Sequence, residues 1–181
     1  MRKFPRVVRL DESDVYVFRH AAEPGEWAVV GSFAFADRDP EQLDAKDRLA
    51  LRSAWLGTES FGFATLVEVA EVTDPEFFQV VERLARHFVE AYGAPDLTAA
   101  LPAARQEADD AASLCDHKVH QLLAIEREPG PGGLVERVHL IHPERAREHA
   151  KIWEIVTDDD DGPDAGAEEK RGSPSGARED E

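Results

Sequence analysis

Phe61-Gly62-Phe63-Ala64-Thr65-Leu66-Val67-Glu68-Val69-Ala70-Glu71-Val72-Thr73-Asp74-Pro75-Glu76 carries two periods in succession, and their order decides the fold. Across residues 61–72, alternate side chains point to opposite faces of a strand. One face carries Phe61, Phe63, Thr65, Val67 and Val69, and the other carries Gly62, Ala64, Leu66, Ala70 and Val72. Both faces are largely apolar, which places this strand inside a sheet. The small residues of the second face admit a helix at close range. Thr73 and Glu76 have the spacing of a capping box, and Pro75 sits in the first turn, where its missing N–H costs nothing. Phe77, Val81, Leu84, Phe88 and Tyr92 then recur at helical spacing. Gly93 supplies the C-terminal stop and Pro95 prevents continuation. The aromatic stripe of this helix reads as core.

Upstream, residues 5–10 and 14–18 read as short strands around an acidic turn. Residues 27–30 and 32–35 also read as strand, with Gly31 as a bulge, so the first 36 residues are expected to form an antiparallel meander. Asp39-Pro40 opens a helix whose stripe is Leu43, Ala50, Leu51, Ala54 and Trp55, ended by Gly57. Downstream of Gly93, Pro102 is expected to separate a helical turn from a longer helix over residues 103–114. Residues 119–127 and 134–141 alternate on either side of Pro129-Gly130-Pro131-Gly132-Gly133, which predicts a hairpin. Pro143 ends the second strand, and residues 144–156 predict a terminal helix. From Thr157 the composition is Asp, Glu, Gly, Ser and Pro, which predicts disorder. The expectation is one α+β domain over residues 1–156, a mainly antiparallel sheet with helices packed on one face, and a disordered acidic tail over residues 157–181.

The net charge is −17; residues 158–181 hold ten acids and three bases, contributing −7, and the rest carries −10. Such a surface repels phosphate backbones and anionic membranes, so neither nucleic acid nor membrane is an expected partner. No apolar run reaches the ~18 residues of a membrane-spanning helix. The N-terminus lacks the apolar core of a signal peptide, and the single cysteine, Cys115, fits a reducing compartment. A cytoplasmic location is expected.

No phosphate-binding glycine loop, nucleophile elbow or H-E-x-x-H motif is present. The densest chemistry is Cys115-x-His117-x-x-His120 followed by His139-x-x-His142. Thiolate and imidazole suit zinc, copper or iron. Residues three apart on a strand face opposite ways, so only a cross-strand pair can act together. If Leu122 opposes His139, His120 and His139 are diagonal neighbours; a one-residue shift sets His120 opposite His142. The competing reading is scattered histidines with Cys115 as a small buried hydrophobe. A second group, His20, Trp27, Glu59 and Ser60, lies at strand or loop ends, where pockets form. A third feature is Ile152-Trp153, just before the acidic stretch, where a tryptophan can anchor a partner protein or pack on its own sheet.

Phe4-Pro5-Arg6-Val7-Val8-Arg9-Leu10, Ala22-Glu23-Pro24-Gly25-Glu26-Trp27, Leu56-Gly57-Thr58-Glu59-Ser60-Phe61-Gly62 and Tyr92-Gly93-Ala94-Pro95-Asp96 resemble a family of small uncharacterised alphaproteobacterial proteins, over about residues 3–142. The resemblance brings no catalytic residue or cofactor. It implies an accessory role near lipoate-ligase-like and molybdoenzyme maturation proteins. The functional expectation is an accessory protein acting through a protein partner; the alternative is a small-molecule or transition-metal-binding protein, or an enzyme using the Cys/His cluster.

Overall fold

The computed structural model describes residues 1–142. In chain order the elements are β1 (Arg2–Val8), α1 (Ser13–Val17), β2 (Ala28–Val29), two 3₁₀ turns (Ser32–Phe35 and Pro40–Gln42), α2 (Ala45–Ser53), β3 (Trp55–Gly57), β4 (Phe63–Ala64), β5 (Leu66–Val72), α3 (Asp74–Ala91), α4 (Leu97–Ser113), β6 (Leu122–Gly130) and β7 (Gly133–Ile141). The fold is α+β. Its main sheet has the antiparallel order β1-β5-β6-β7, and β2, β3 and β4 form a second antiparallel sheet.

The two sheets join at both ends. Only Thr65 separates β4 from β5, and Arg6 in β1 bridges Trp27, immediately before β2. The two sheets are thus linked once by the chain, from β4 into β5, and once by a single antiparallel bridge, from β1 to the start of β2. Asp14, buried at the start of α1, fixes one junction by accepting from the backbone N–H of Thr65 at 3.2 Å and its hydroxyl at 2.6 Å.

The single strand expected over residues 61–72 is broken, because Phe61 is left-handed at φ +52° and Thr65 divides β4 from β5, which belong to different sheets. Strand β5 itself is buried on both faces, as its sequence predicts. Ala70 and Val72 join Phe4, the α3 residues Phe77, Val80 and Leu84, and the α4 alanines 100, 104, 108 and 111 in one cluster. Val67 and Val69 join Trp55, Leu123 and Ile125 in another. The capping box forms: Glu76 N–H donates to Thr73 Oγ1 at 3.4 Å, and Thr73 N–H donates to Glu76 Oε2 at 2.9 Å. Gly93 takes a φ of +75°, the left-handed conformation that ends α3 without a Cβ penalty.

Several expectations are corrected. Residues 14–18 are not a strand: Ser13–Val17 is one helical turn, held by the Asp14 contacts. Ser32–Phe35 is a 3₁₀ turn, and Gly31 is no bulge but a left-handed residue at φ +77° that turns the chain out of β2. The opening meander therefore does not form. The helix expected from Asp39 splits in two, because Asp39 and Asp44 each cap a separate start, accepting from Glu41 N–H at 3.0 Å and Asp47 N–H at 2.8 Å. Trp55 leaves the helix for β3. Conversely, α4 runs unbroken through Pro102, from its own cap at Asp96. The expected terminal helix and tail lie outside the described residues.

Candidate functional site

Strand β6 continues its alternation past the apolar pair Leu123 and Ile125 and, two residues on, places Arg127 on the same face. Its side chain is buried. Burying a guanidinium is costly unless its donors are met. Here Nη1 donates to the carbonyls of Leu51 at 3.1 Å and Ala54 at 2.9 Å, with Ala50 at 3.5 Å. Nη2 donates to the Val30 carbonyl, and Nε donates to Glu136 Oε1 at 3.2 Å. Arg127 thus closes the C-terminal end of α2, where free carbonyls favour a cation, and ties it to Val30 and β7.

Above this hub lies a cleft of about 720 Å³. The Ser32–Phe35 turn contributes Phe33 and Phe35, α2 contributes Leu51, the β6–β7 hairpin contributes Leu134 and Glu136, and α4 contributes Glu107. Arg38 reaches the same cleft from an ion pair with Asp47 at 2.6 Å. A flanking cavity of about 390 Å³ shares Phe33, Ala36 and Glu107 and continues beneath Phe88 and Tyr92. Another, of about 450 Å³, shares Pro40, Leu51, Pro129 and Leu134 and opens toward Arg48 and Arg52.

Glu107 is the perturbed acid of the cleft. Burial pushes its carboxyl up to about 7, the like charges of Asp110 and Glu136 push the same way, and Arg127 opposes them. A half-buried carboxyl with acidic neighbours keeps its proton far above the usual carboxylate range. At neutral pH it can both donate and accept one. Apolar walls with a few convergent polar groups and one such acid have the anatomy of a small-molecule site.

The Cys/His candidates are not brought together. Cys115 is buried, and burial pushes its thiol up to about 12. His117 is engaged through its carbonyl, which accepts from Lys3 Nζ at 2.5 Å. His120 stands outside β6 at φ +69°, its Nδ1 3.0 Å from Glu68 Oε2. His139 opposes Ala124, and Leu122 opposes Ile141, so neither anticipated register occurs. The His139 ring bonds Glu126 at 3.0 Å, and His142 is exposed beyond the strand. Among the described residues no three His, Cys, Asp or Glu side chains form a group able to hold a metal ion.

A family model described as a family of unknown function (DUF6505) matches residues 1–157. The chain belongs to this family. No curated protein and no solved structure matches this chain.

Of the second group, Ser60 and Glu59 share a loop locked by Glu26, a buried carboxylate absent from the sequence expectations. Glu26 accepts from the backbone N–H groups of Glu23 at 2.8 Å and of Glu59 and Ser60 at 3.1 Å each, and from the Ser60 hydroxyl at 2.8 Å. Glu59 itself pairs with Arg83 at 3.1 Å. Trp27 is a core residue, edge-on to Phe4 with ring centroids 6.0 Å apart. His20 is exposed, and no hydrogen bond joins it to Glu59 among the described residues. Ile152 and Trp153 lie outside the described residues.

Glu107, Arg127 and Glu136 were missed from the sequence, yet each leaves a trace. Arg127 extends the Leu123–Ile125 face of an alternating strand. Glu107 sits three residues after Ala104, on the flank of the buried alanine stripe. What the sequence could not supply is the register that sets Glu136 opposite Arg127.

Proposed function

We propose that this protein binds a small organic molecule in the cleft between the Ser32–Phe35 turn, α4 and the β6–β7 hairpin, with Glu107 as a carboxyl that exchanges a proton with it. The observation that carries this reading is Glu107 itself, half-buried in a cleft of about 720 Å³ and pushed up to about 7. A general acid or base works best when its pKa lies near the working pH. Arg127 stiffens the frame of the site, because one side chain holds the end of α2, Val30 and β7 at fixed spacing. The test is amide chemical-shift mapping of the full-length protein against a library of small organic fragments. Shifts gathered on Phe33, Leu51, Glu107, Leu134 and Glu136 support the reading; hits scattered over the surface, or none, refute it.

A second reading is the accessory one, with a protein partner in cofactor or molybdoenzyme maturation. It is favoured by Leu134, Val135 and Leu140, three exposed apolar side chains on β7, the last strand of the main sheet. Affinity co-purification with wild-type protein and a Val135→Lys/Leu140→Lys variant tests it: a stoichiometric partner lost in the variant supports it, and no partner refutes it.

A further inference from the structure

The cavity at the α2 end of the cleft has a charge character unlike the rest of the chain. Residues 1–142 hold 25 acids and 15 bases. Around this cavity the ratio inverts: Arg48, Arg52 and Arg127 face it against a single acid, Glu41. Arg127 is engaged by backbone carbonyls and its charge is paired with Glu136, so the positive charge open to the cavity is that of Arg48 and Arg52. Arg48 donates to the Leu43 carbonyl at 2.9 Å through Nη2. Neither Arg48 nor Arg52 has an ion-pair partner among the described residues, a property they share with Arg9 and Arg86, and theirs are the two such guanidiniums that line this cavity.

The two guanidiniums also sit at one end of an apolar path. Leu51, Pro129 and Leu134 line both this cavity and the larger cleft, which continues to Phe35. Guanidinium donors match the oxygens of carboxylate, sulfonate and phosphate groups, two at a time. The apolar path gains from covering a hydrocarbon or aromatic body.

We propose that the ligand of the cleft is an amphipathic organic anion, its charged head between Arg48 and Arg52 and its apolar body along Leu51, Leu134 and Phe35. This rests on the cleft being a ligand site and names the class of molecule it takes. An anion seated there faces Glu41 at the rim and Glu136 and Glu107 deeper in, so the acids push the charge toward the arginine end and leave the cleft to the apolar part. The direction of binding follows: head out, body in. Glu107 then meets the end of the molecule remote from its charge.

The test uses the full-length protein and two fluorescent probes with the same rings. One is 1-anilinonaphthalene-8-sulfonate, and the other is N-phenyl-1-naphthylamine, which lacks the sulfonate. The sulfonate is expected to bind saturably and about tenfold more tightly than the neutral probe, the worth of one charge-assisted contact. Arg48→Gln/Arg52→Gln should remove that preference. Arg52→Gln alone, which breaks no side-chain hydrogen bond among the described residues, should weaken sulfonate binding by about fivefold while the circular dichroism and melting temperature hold. Equal binding of both probes, unchanged in both variants, would overturn the anion proposal while leaving the cleft as a binding site. Binding of neither would overturn the cleft reading as well.

Discussion

Arg127 and Glu136 face each other across the β6–β7 ladder, with Nε donating to Oε1 at 3.2 Å, and the arginine is buried while the glutamate stands at the cleft wall. The pair links the skeleton of the fold to its candidate site. One end holds three backbone segments together, and the other adds the negative charge that helps keep Glu107 protonated.

Replacing Arg127 with methionine keeps the volume and removes the donors. The carbonyls of Val30, Leu51 and Ala54 then lose their partner, and unpaired buried polar groups cost more than the net worth of the bonds. A loss of about 3–5 kcal/mol in urea unfolding is expected. Arg127→Lys should recover only a part, because an ammonium has three donors and no fork. Full stability in either variant would show that the hub is dispensable.

Glu107→Gln tests the raised carboxyl through stability. The folded pKa of about 7 lies above the reference 4.5, so the folded state holds a proton that the unfolded state has released between those values. Stability contributed by this group is complete below pH 4.5, falls as pH rises toward 7, and is flat beyond. Asp110 from the same helix, Glu136 from β7 and Arg127 from β6 are the charges that face it. The variant should match wild type at pH 4 and exceed it at pH 8 by about 1–2 kcal/mol, after discounting for partial solvent exposure. Denaturant titrations at the two pH values check the sign.

Glu26 is the expected weak point of the 58–62 loop. Glu26→Ala removes one acceptor from four donors and should cost about 2–4 kcal/mol, with faster amide exchange at Glu59 and Ser60. Gly57→Ala should be comparably harmful, because a Cβ there would lie 2.0 Å from Glu26 Oε1. Wild-type exchange rates at both amides in Glu26→Ala would contradict this account.

Cys115 should behave as a core residue. With its thiol pushed up to about 12 by burial, almost no thiolate exists at pH 8. A thiol reagent is expected to label it only after unfolding. Rapid labelling of the native protein would place the side chain at the surface.

The second half of the central strand, its capping box, the long helix and the terminal hairpin are legible because each rests on local chemistry: alternation on β5, Thr73 with Glu76, and the glycines at the turn. The break at Thr65 is not, because it depends on the distant Asp14. The first 60 residues were misread where a distant partner decides. Val15 and Val17 look strand-like, but Asp14 is drawn to Thr65, 51 positions away, and that contact sets a helical turn. Asp39 and Asp44 compete to start one helix, and both succeed. Pro102 reads as a break, yet α4 starts at the Asp96 cap and continues through it. The cleft was hidden for the same reason, since Glu107, Arg127 and Glu136 come from three elements whose register no local pattern fixes. The histidines failed to gather because Glu68 and Glu126 hold His120 and His139 separately.

The most direct measurement is an NMR titration of the side-chain carboxyl carbon of Glu107 in the full-length protein. The account predicts a midpoint of about 7, moving down when Glu136 is replaced by glutamine. A midpoint near 4.5, unmoved by Glu136→Gln, would mean that Glu107 is an ordinary surface acid, and the proton-exchanging site proposed for the cleft would not exist.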